Sequence, residues 1–447
     1  MARRLDLAVL PDGAPQPEVF RRFFLTGIAA MLTAGGSLGA VVLIRIAAHH
    51  SFTSVPIFDI NAHAQAQIYG WVGMFVMGFS YQAFPRFWGT RLALPRLALV
   101  SWVLMVAGVL LRAFGEPFHA TPALAAAALA GGTAQLAAAS MYATVLFATA
   151  RSSRQPRSAT DRYIGAAVVW FVLAAGLDLF HLARTLAAPT AAALVRQVEI
   201  WQFPLRDLQI QGVAMMMIFA VSLRQFPIWF GTPLPDQRRA RRLWLPLQLA
   251  VITEVVAFVV AMATRAYVWM AAYGVATVAL LVCAALYVVN LRTWARTPTP
   301  DRSLKFVRAA QAWLLVALAM LVVAPAYFAL VGMPFSHAWY GAMRHAVTVG
   351  FISLTIVGVA AKVVSAHAAP WAPRLGDLWL PFVLVNAGCV LRVVMQVATD
   401  FTAGAFPIAS ASGVLEVAGF AVWGFELARR MLAGYRRAAD VRPEAGA

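Results

Sequence analysis

Apolar residues in this chain come in long runs separated by short polar stretches. Twelve runs are long enough to cross a bilayer, which takes about 20 residues each. They cover residues 22–46, 64–86, 94–115, 122–150, 162–186, 206–230, 242–264, 267–292, 306–331, 341–364, 377–399 and 407–433. Arginine- and proline-containing breaks divide them, such as Arg151 to Arg157 and Thr297 to Arg302. The tightest break is Thr264-Arg265-Ala266, which has to serve as a whole turn. The pattern predicts an all-α polytopic membrane protein with twelve transmembrane helices, folded as one transmembrane domain over residues 1–447.

The runs repeat. NAHAQAQIYGWVGMFVMGFSYQAFPRFWGT, from Asn61 to Thr90, has an ungapped echo 142 residues later. Gln209-Ile210-Gln211-Gly212, Ser222, Phe226-Pro227 and Gly231-Thr232 repeat Gln67-Ile68-Tyr69-Gly70, Ser80, Phe84-Pro85 and Gly89-Thr90. In a fainter third copy, Gly350 and Gly358 follow Gly70 and Gly78 by 280 residues. Self-similarity at a fixed period sets architecture. An even number of helices per repeat makes the copies parallel, related by an axis along the membrane normal. The expectation is three pseudo-threefold-related four-helix units, at about 20–150, 160–292 and 305–433.

Composition agrees: 62% of the 447 residues are hydrophobic and only 12% charged. A formal net charge of +18 is of the size that nucleic-acid binding calls for, but the arginines sit in short loops with no basic stripe interleaved with aromatics. Cys283 and Cys389 lie in apolar runs, which argues against a disulfide framework or a cysteine metal site. The first residues lack the apolar core and cleavage site of a removable signal peptide. Positive charge collects before the first run and after the second, fourth, sixth, eighth, tenth and last. By the positive-inside rule both termini are expected in the cytoplasm.

That orientation puts His49, His50, His63, His119, His181, His337 and His345 toward the outer side and only His367 inside. Such a bias suggests a polar or metal-containing layer there, although outer loops also tolerate histidine where arginine is excluded. One repeat-equivalent position carries a charge in all three copies: Arg112, Glu254 and Arg392. Charges in apolar helices are costly and face a partner, a cavity or a cofactor. The three could be an Arg–Glu–Arg packing cluster. Alternatively, the arginines face anionic cofactor groups while Glu254 balances them or carries protons. Glu416, near-equivalent to Gln135, is a further carboxylate that could join a proton path or pair with a neighbour.

Twelve helices in three arcs, with histidines at the mouths of the second and tenth, resemble the haem–copper oxidase superfamily. Two stretches resemble the NnrS family more closely: the Asn61 segment and RHAVTVGFISLTIVGVAAKVVSAH, Arg344 to His367. LRVV at Leu391 to Val394 and SGVLEVAGFAVW at Ser412 to Trp423 agree in placement. The resemblance implies a haem- and copper-containing membrane protein linked to nitric oxide and denitrification, in the bacterial inner membrane. In the oxidases a histidine of the second helix and the second histidine of a His-x-His pair on the tenth sandwich a low-spin haem. His63 and His345 match these, while the first histidine of the pair is Met343. The sixth and seventh helices lack the histidines of the oxidase copper site, so a catalytic binuclear centre is not expected.

From the residues alone, two imidazoles make a low-spin iron, and the absence of Cys-x-x-Cys-His excludes covalent attachment by that signature. The candidate cofactor is therefore haem b, bound by His63 and His345 with propionates toward Arg112 or Arg392. Copper is a second candidate, at His49-His50 with His119, His181 or His337, and His181 and His337 are alternative haem ligands. Consecutive Met215, Met216 and Met217 point to different helix faces and read as core. Two classes of function follow. One is a haem protein that binds, senses or helps remove nitric oxide, exchanging electrons with a periplasmic carrier. The other is a transporter of a small solute or metal. A degenerate, oxidase-like electron-transfer protein belongs with the first. Whether the chain is an oxidoreductase the residues leave open.

Overall fold

The computed structural model describes residues 19–298, 301–368 and 372–440, with side chains as far as Ala433. The segment read as lacking a signal peptide, with Arg3 and Arg4, and the side chains of Arg436, Arg437 and Arg442 lie outside that range. Twelve long helices follow one another. They are α1 (Phe20–His49), α2 (57–87), α3 (Pro95–Gly115), α4 (Pro122–Arg151), α5 (Ala159–Leu186), α6 (Ala191–Phe230), α7 (Gln237–Thr264), α8 (Trp269–Leu291), α9 (Leu304–Leu330), α10 (His337–His367), α11 (Trp379–Ala398) and α12 (Ala405–Asp440). No strand occurs among the described residues. Among the described residues eleven helices are long and apolar enough to cross a membrane, and the chain is a multi-pass membrane protein.

Three helices begin earlier than hydropathy indicates. α2 starts at Ile57 and α10 at His337, because their first turns carry polar side chains that mask a helical start. α6 gains the most, running back to Ala191. Arg196, Glu199 and Arg206 depress its hydropathy, yet its residues favour helix, and Thr190 caps it by accepting from the Ala193 N–H at 3.1 Å. The tight α7–α8 turn spans residues 265–268, with Arg265 in the left-handed region at φ 60°.

α2, α6 and α10 form the interior. In α10, 83% of the apolar stretch is buried, against 28% in α9, and from Met74 to Phe87 every α2 residue but Val76 is buried. The outer helices present Leu110, Val256 and Val394 outward, as a lipid-facing surface requires. The most extensive pairings are α3 with α4, α7 with α8 and α11 with α12. α4 packs on α5 and α8 on α9, and α12 returns to α1, closing a ring. Each interior helix also contains eight residues of wider π winding, at Ala66–Gly73, Leu208–Met215 and Ala346–Ser353. Such segments are rare and recur at functional sites.

Candidate functional site

Just before each π segment, the interior helices carry polar and ionisable side chains, which meet partners from the outer helices in three buried clusters. The first lies among α2 to α6 and centres on Arg112, which is 2% exposed. Its Nε donates to Glu116 Oε1 at 2.6 Å, and its Nη1 to Gln135 Oε1 at 2.8 Å and Asp178 Oδ2 at 2.7 Å. Gln135 passes the chain on to Gln65 Oε1 at 2.7 Å, and Gln65 donates to the Val109 carbonyl. Nearby, Arg206 donates to Gln209 at 2.8 Å and Asn61 at 3.1 Å. Two buried carboxylates and one amide therefore accept from the Arg112 guanidinium, and its donors are taken by protein groups rather than left for a propionate. His181 is buried within electrostatic reach of Asp178, Arg206 and Arg112, with no partner for Nε2.

The second cluster joins α6, α7 and α10. Arg344 Nη1 pairs with Asp207 Oδ1 at 2.6 Å, and its guanidinium stacks on Phe203 and Tyr340 at 4.7 and 4.9 Å. Gln211 Nε2 donates to Glu254 Oε1 at 3.1 Å. The Glu254 carboxylate thus meets an amide, not an arginine.

The third cluster gathers both predicted haem ligands. His63 enters from α2 and its Nδ1 meets the Gly35 carbonyl at 2.8 Å. That carbonyl is presented by a π-wound stretch of α1, Met31–Gly35, where Gly35 leaves helical geometry with ψ −101°. Gly39, one turn on, lies flat against the imidazole; a methyl there would overlap the ring. His345 enters from α10 with its Nδ1 3.3 Å from the Gly341 carbonyl. His345 is within electrostatic reach of His63 and Arg392, and His63 of Arg392. An Nδ1–H held by a carbonyl fixes the tautomer that leaves Nε2 as a metal ligand. Arg392, on α11, has neither Nε nor Nη1 hydrogen-bonded, and Glu416 on α12 has Oε1 free although the two sense each other's charge. Cys389, one turn before Arg392, lies 3.9 Å from the His345 carbonyl.

The structure thus separates residues the sequence reading had grouped. Arg112, Glu254 and Arg392 belong to three clusters, each with its own partners. The histidines expected toward the outer side are dispersed. His119 stacks on Phe58 at 3.7 Å, His50 stacks on Phe406, and His337 meets Phe335 edge-on. Among the described residues no three histidine, cysteine, aspartate or glutamate side chains stand close enough to hold a metal ion together. Met216 accepts from Gln248 in the core, in keeping with a packing role. Sequence reasoning did not single out Gly35, Gly39 or Asp178 as site residues; glycines on one face of α1 at four-residue multiples, Gly27, Gly35 and Gly39, were the available signal. No curated protein matches the chain. The family model for the NnrS protein, however, matches residues 17–436, nearly the whole chain, so the protein belongs to the NnrS family.

Proposed function

We propose that the protein is a haem-binding membrane protein that handles nitric oxide. His63 and His345 would ligate one haem b near the periplasmic face of the bacterial inner membrane, and both termini would be cytoplasmic. One observation carries the reading. Two imidazoles from different interior helices converge with Nδ1 anchored to backbone carbonyls, beside a buried guanidinium whose Nε and Nη1 have no partner. The donor set suits a b-type haem: neutral nitrogen ligands on the iron and a cation for a propionate. Bound there, a haem would supply a redox-active iron that exchanges electrons, and it would take up a diatomic gas only in exchange for one of the two histidines. The chain's own residues do the rest. The Gly35 and Gly341 carbonyls hold the tautomers, Gly39 clears space for the His63 ring, and Arg392 counters anionic charge while Glu416 limits the excess of positive charge.

The proposal extends to architecture: three parallel four-helix units at about 20–150, 160–292 and 305–433, with their arcs diverged in chemistry. Several matches support it. The π segments stand 142 and 280 residues apart, and Gly108 faces Gln135 Cγ just as Gly388 faces Glu416 Cγ, each at 2.7 Å from the position of a Cβ. The equivalents of His345 are then Gln65 and Asp207.

A visible absorption spectrum of the purified protein tests the function. The expected result is a sharp reduced b-type haem band. Protein from haem-replete cells that shows none would remove the haem reading and leave the small-solute transporter in its place. Copper, as a further cofactor, would appear in metal analysis of the same sample.

A further inference from the structure

The second cluster is unlike the other two in its charge. Asp207 and Glu254 contribute two carboxylates, 1% and 0% exposed, against a single guanidinium, Arg344. Arg344 is committed to Asp207 at 2.6 Å. Glu254 has only the amide of Gln211 at Oε1, and its Oε2 has no partner. The Gln211 Oε1 is also buried and unpartnered, as are Nε and Nη2 of Arg344. A small cavity adjoins Gln211 and Arg344, lined also by Met215 and Met343 and walled by Leu314 and Leu318 of α9, with room for about one water molecule; Glu254 reaches it through Gln211. The other titratable group facing Glu254 is Tyr273 from α8, which is itself within reach of Tyr340 on α10. None of the groups named is a cation apart from Arg344. A surplus negative charge inside an apolar bundle is expensive and calls for compensation.

The geometry points to a monovalent cation site at Glu254 Oε2 and Gln211 Oε1, taking one proton or one sodium ion per protein. The two orphan oxygens belong to side chains on facing helices that are hydrogen-bonded to each other, and Gln211 borders a water-sized space; buried oxygens without donors are what a small hard cation needs. A proton would sit on Oε2 itself and be shared with water or the Gln211 carbonyl. Sodium would draw on both oxygens and water. Either ion makes the cluster neutral. The site stands apart from the histidine cluster and does not depend on haem being bound there.

Infrared difference spectra of the full-length protein in detergent, parent minus Glu254→Gln, separate the outcomes. They are taken in sodium buffer and in buffer with choline in place of sodium. A proton site gives one carboxylic-acid C=O band, lost in Glu254→Gln and the same in both media. A sodium site gives that band in choline only, replaced by carboxylate bands when sodium is added. A folded Glu254→Gln protein whose spectrum matches the parent in this region in both media overturns the proposal. So does a band for ionised Glu254 in choline at every pH where the protein is folded. If Glu254→Gln does not fold, Gln211→Leu decides. It keeps the carboxyl and removes its amide donor, so the acid band should shift in frequency, and an unshifted spectrum overturns the assignment.

Discussion

Arg112 and Arg392 stand 280 residues apart, on α3 and α11, at the same place in the proposed repeat. Both are buried arginines in apolar helices. Around Arg112 the chain supplies Glu116, Asp178 and Gln135, and the guanidinium is tied down at 2.6 to 2.8 Å. Around Arg392 it supplies one carboxylate at a distance, two histidines and unfilled donors. The same residue at the same position is therefore a structural clamp in one arc and an available cation in another. Residue type locates a charge in a membrane protein; only the neighbours say whether that charge is already used.

The sharpest way to break this comparison is to remove the histidines. His63→Ala and His345→Ala should each abolish the low-spin haem spectrum, while His181→Ala, in the saturated arc, should leave it intact. Retention of a parental spectrum in both of the first two variants would move the haem elsewhere, with His181 and His337 next in line.

Swapping the arginines comes second. Arg112→Met strands Asp178 and Glu116, and breaking a buried pair costs about 3–5 kcal/mol, to be read from unfolding in detergent. Arg392→Met breaks no hydrogen bond, so stability should hold while haem occupancy falls and the midpoint potential of retained haem drops. Equal stability losses with unchanged haem would erase the distinction between the two arcs.

Glycines give a smaller and more local probe. Gly39→Ala drives a methyl into the His63 ring and should cost about 1–3 kcal/mol together with a shifted haem spectrum. Gly165→Ala, where nothing lies within 4 Å, should instead stabilise the helix by about 0.5–1 kcal/mol and leave the spectrum alone. A spectral shift from both would mean that Gly39 acts through helix stiffness, not contact.

The smallest effect lies outside all three clusters. The backbone N–H groups of Arg239 and Arg238 hold the Asp236 carboxylate below its usual range as it caps α7. Its stabilisation is present in full above the unfolded-state value and disappears as pH falls through the lower, folded one. Asp236→Ala should flatten that acid limb of a pH–stability curve slightly, without touching haem. An unchanged acid limb would show that the cap contributes nothing measurable.

Much of the helical layout was legible in the chain because apolar runs and arginine loops repeat over long distances. The ends of α2, α6 and α10 were not, since the polar residues that build the clusters are the ones that lower hydropathy there. His63 and His345 were readable from their places at two helix mouths. The partners of Arg112 were harder. Asp178 lies 66 residues away on α5, and no local spacing links the two. Glu254 was correctly marked as a buried charge, but that its neighbour is Gln211 and not an arginine is a fact of how α6 faces α7.

The π segments carry one more consequence, for which changes of length these helices tolerate. A wider turn accommodates an additional residue without lengthening the helix, and each residue corresponds to about 100° of rotation in ordinary α winding. Deleting a single residue inside Ala66–Gly73 would let α2 relax to regular winding with His63 keeping its heading, whereas a deletion in the regular turns of Met74–Phe87 would swing everything ahead of it, His63 included, round by about that angle. The same holds for Asp207 ahead of Leu208–Met215 and His345 ahead of Ala346–Ser353. These three stretches work like slip couplings: a residue can be taken out within them without turning the shaft ahead, while the same change in the regular turns beyond would turn the key away from its lock.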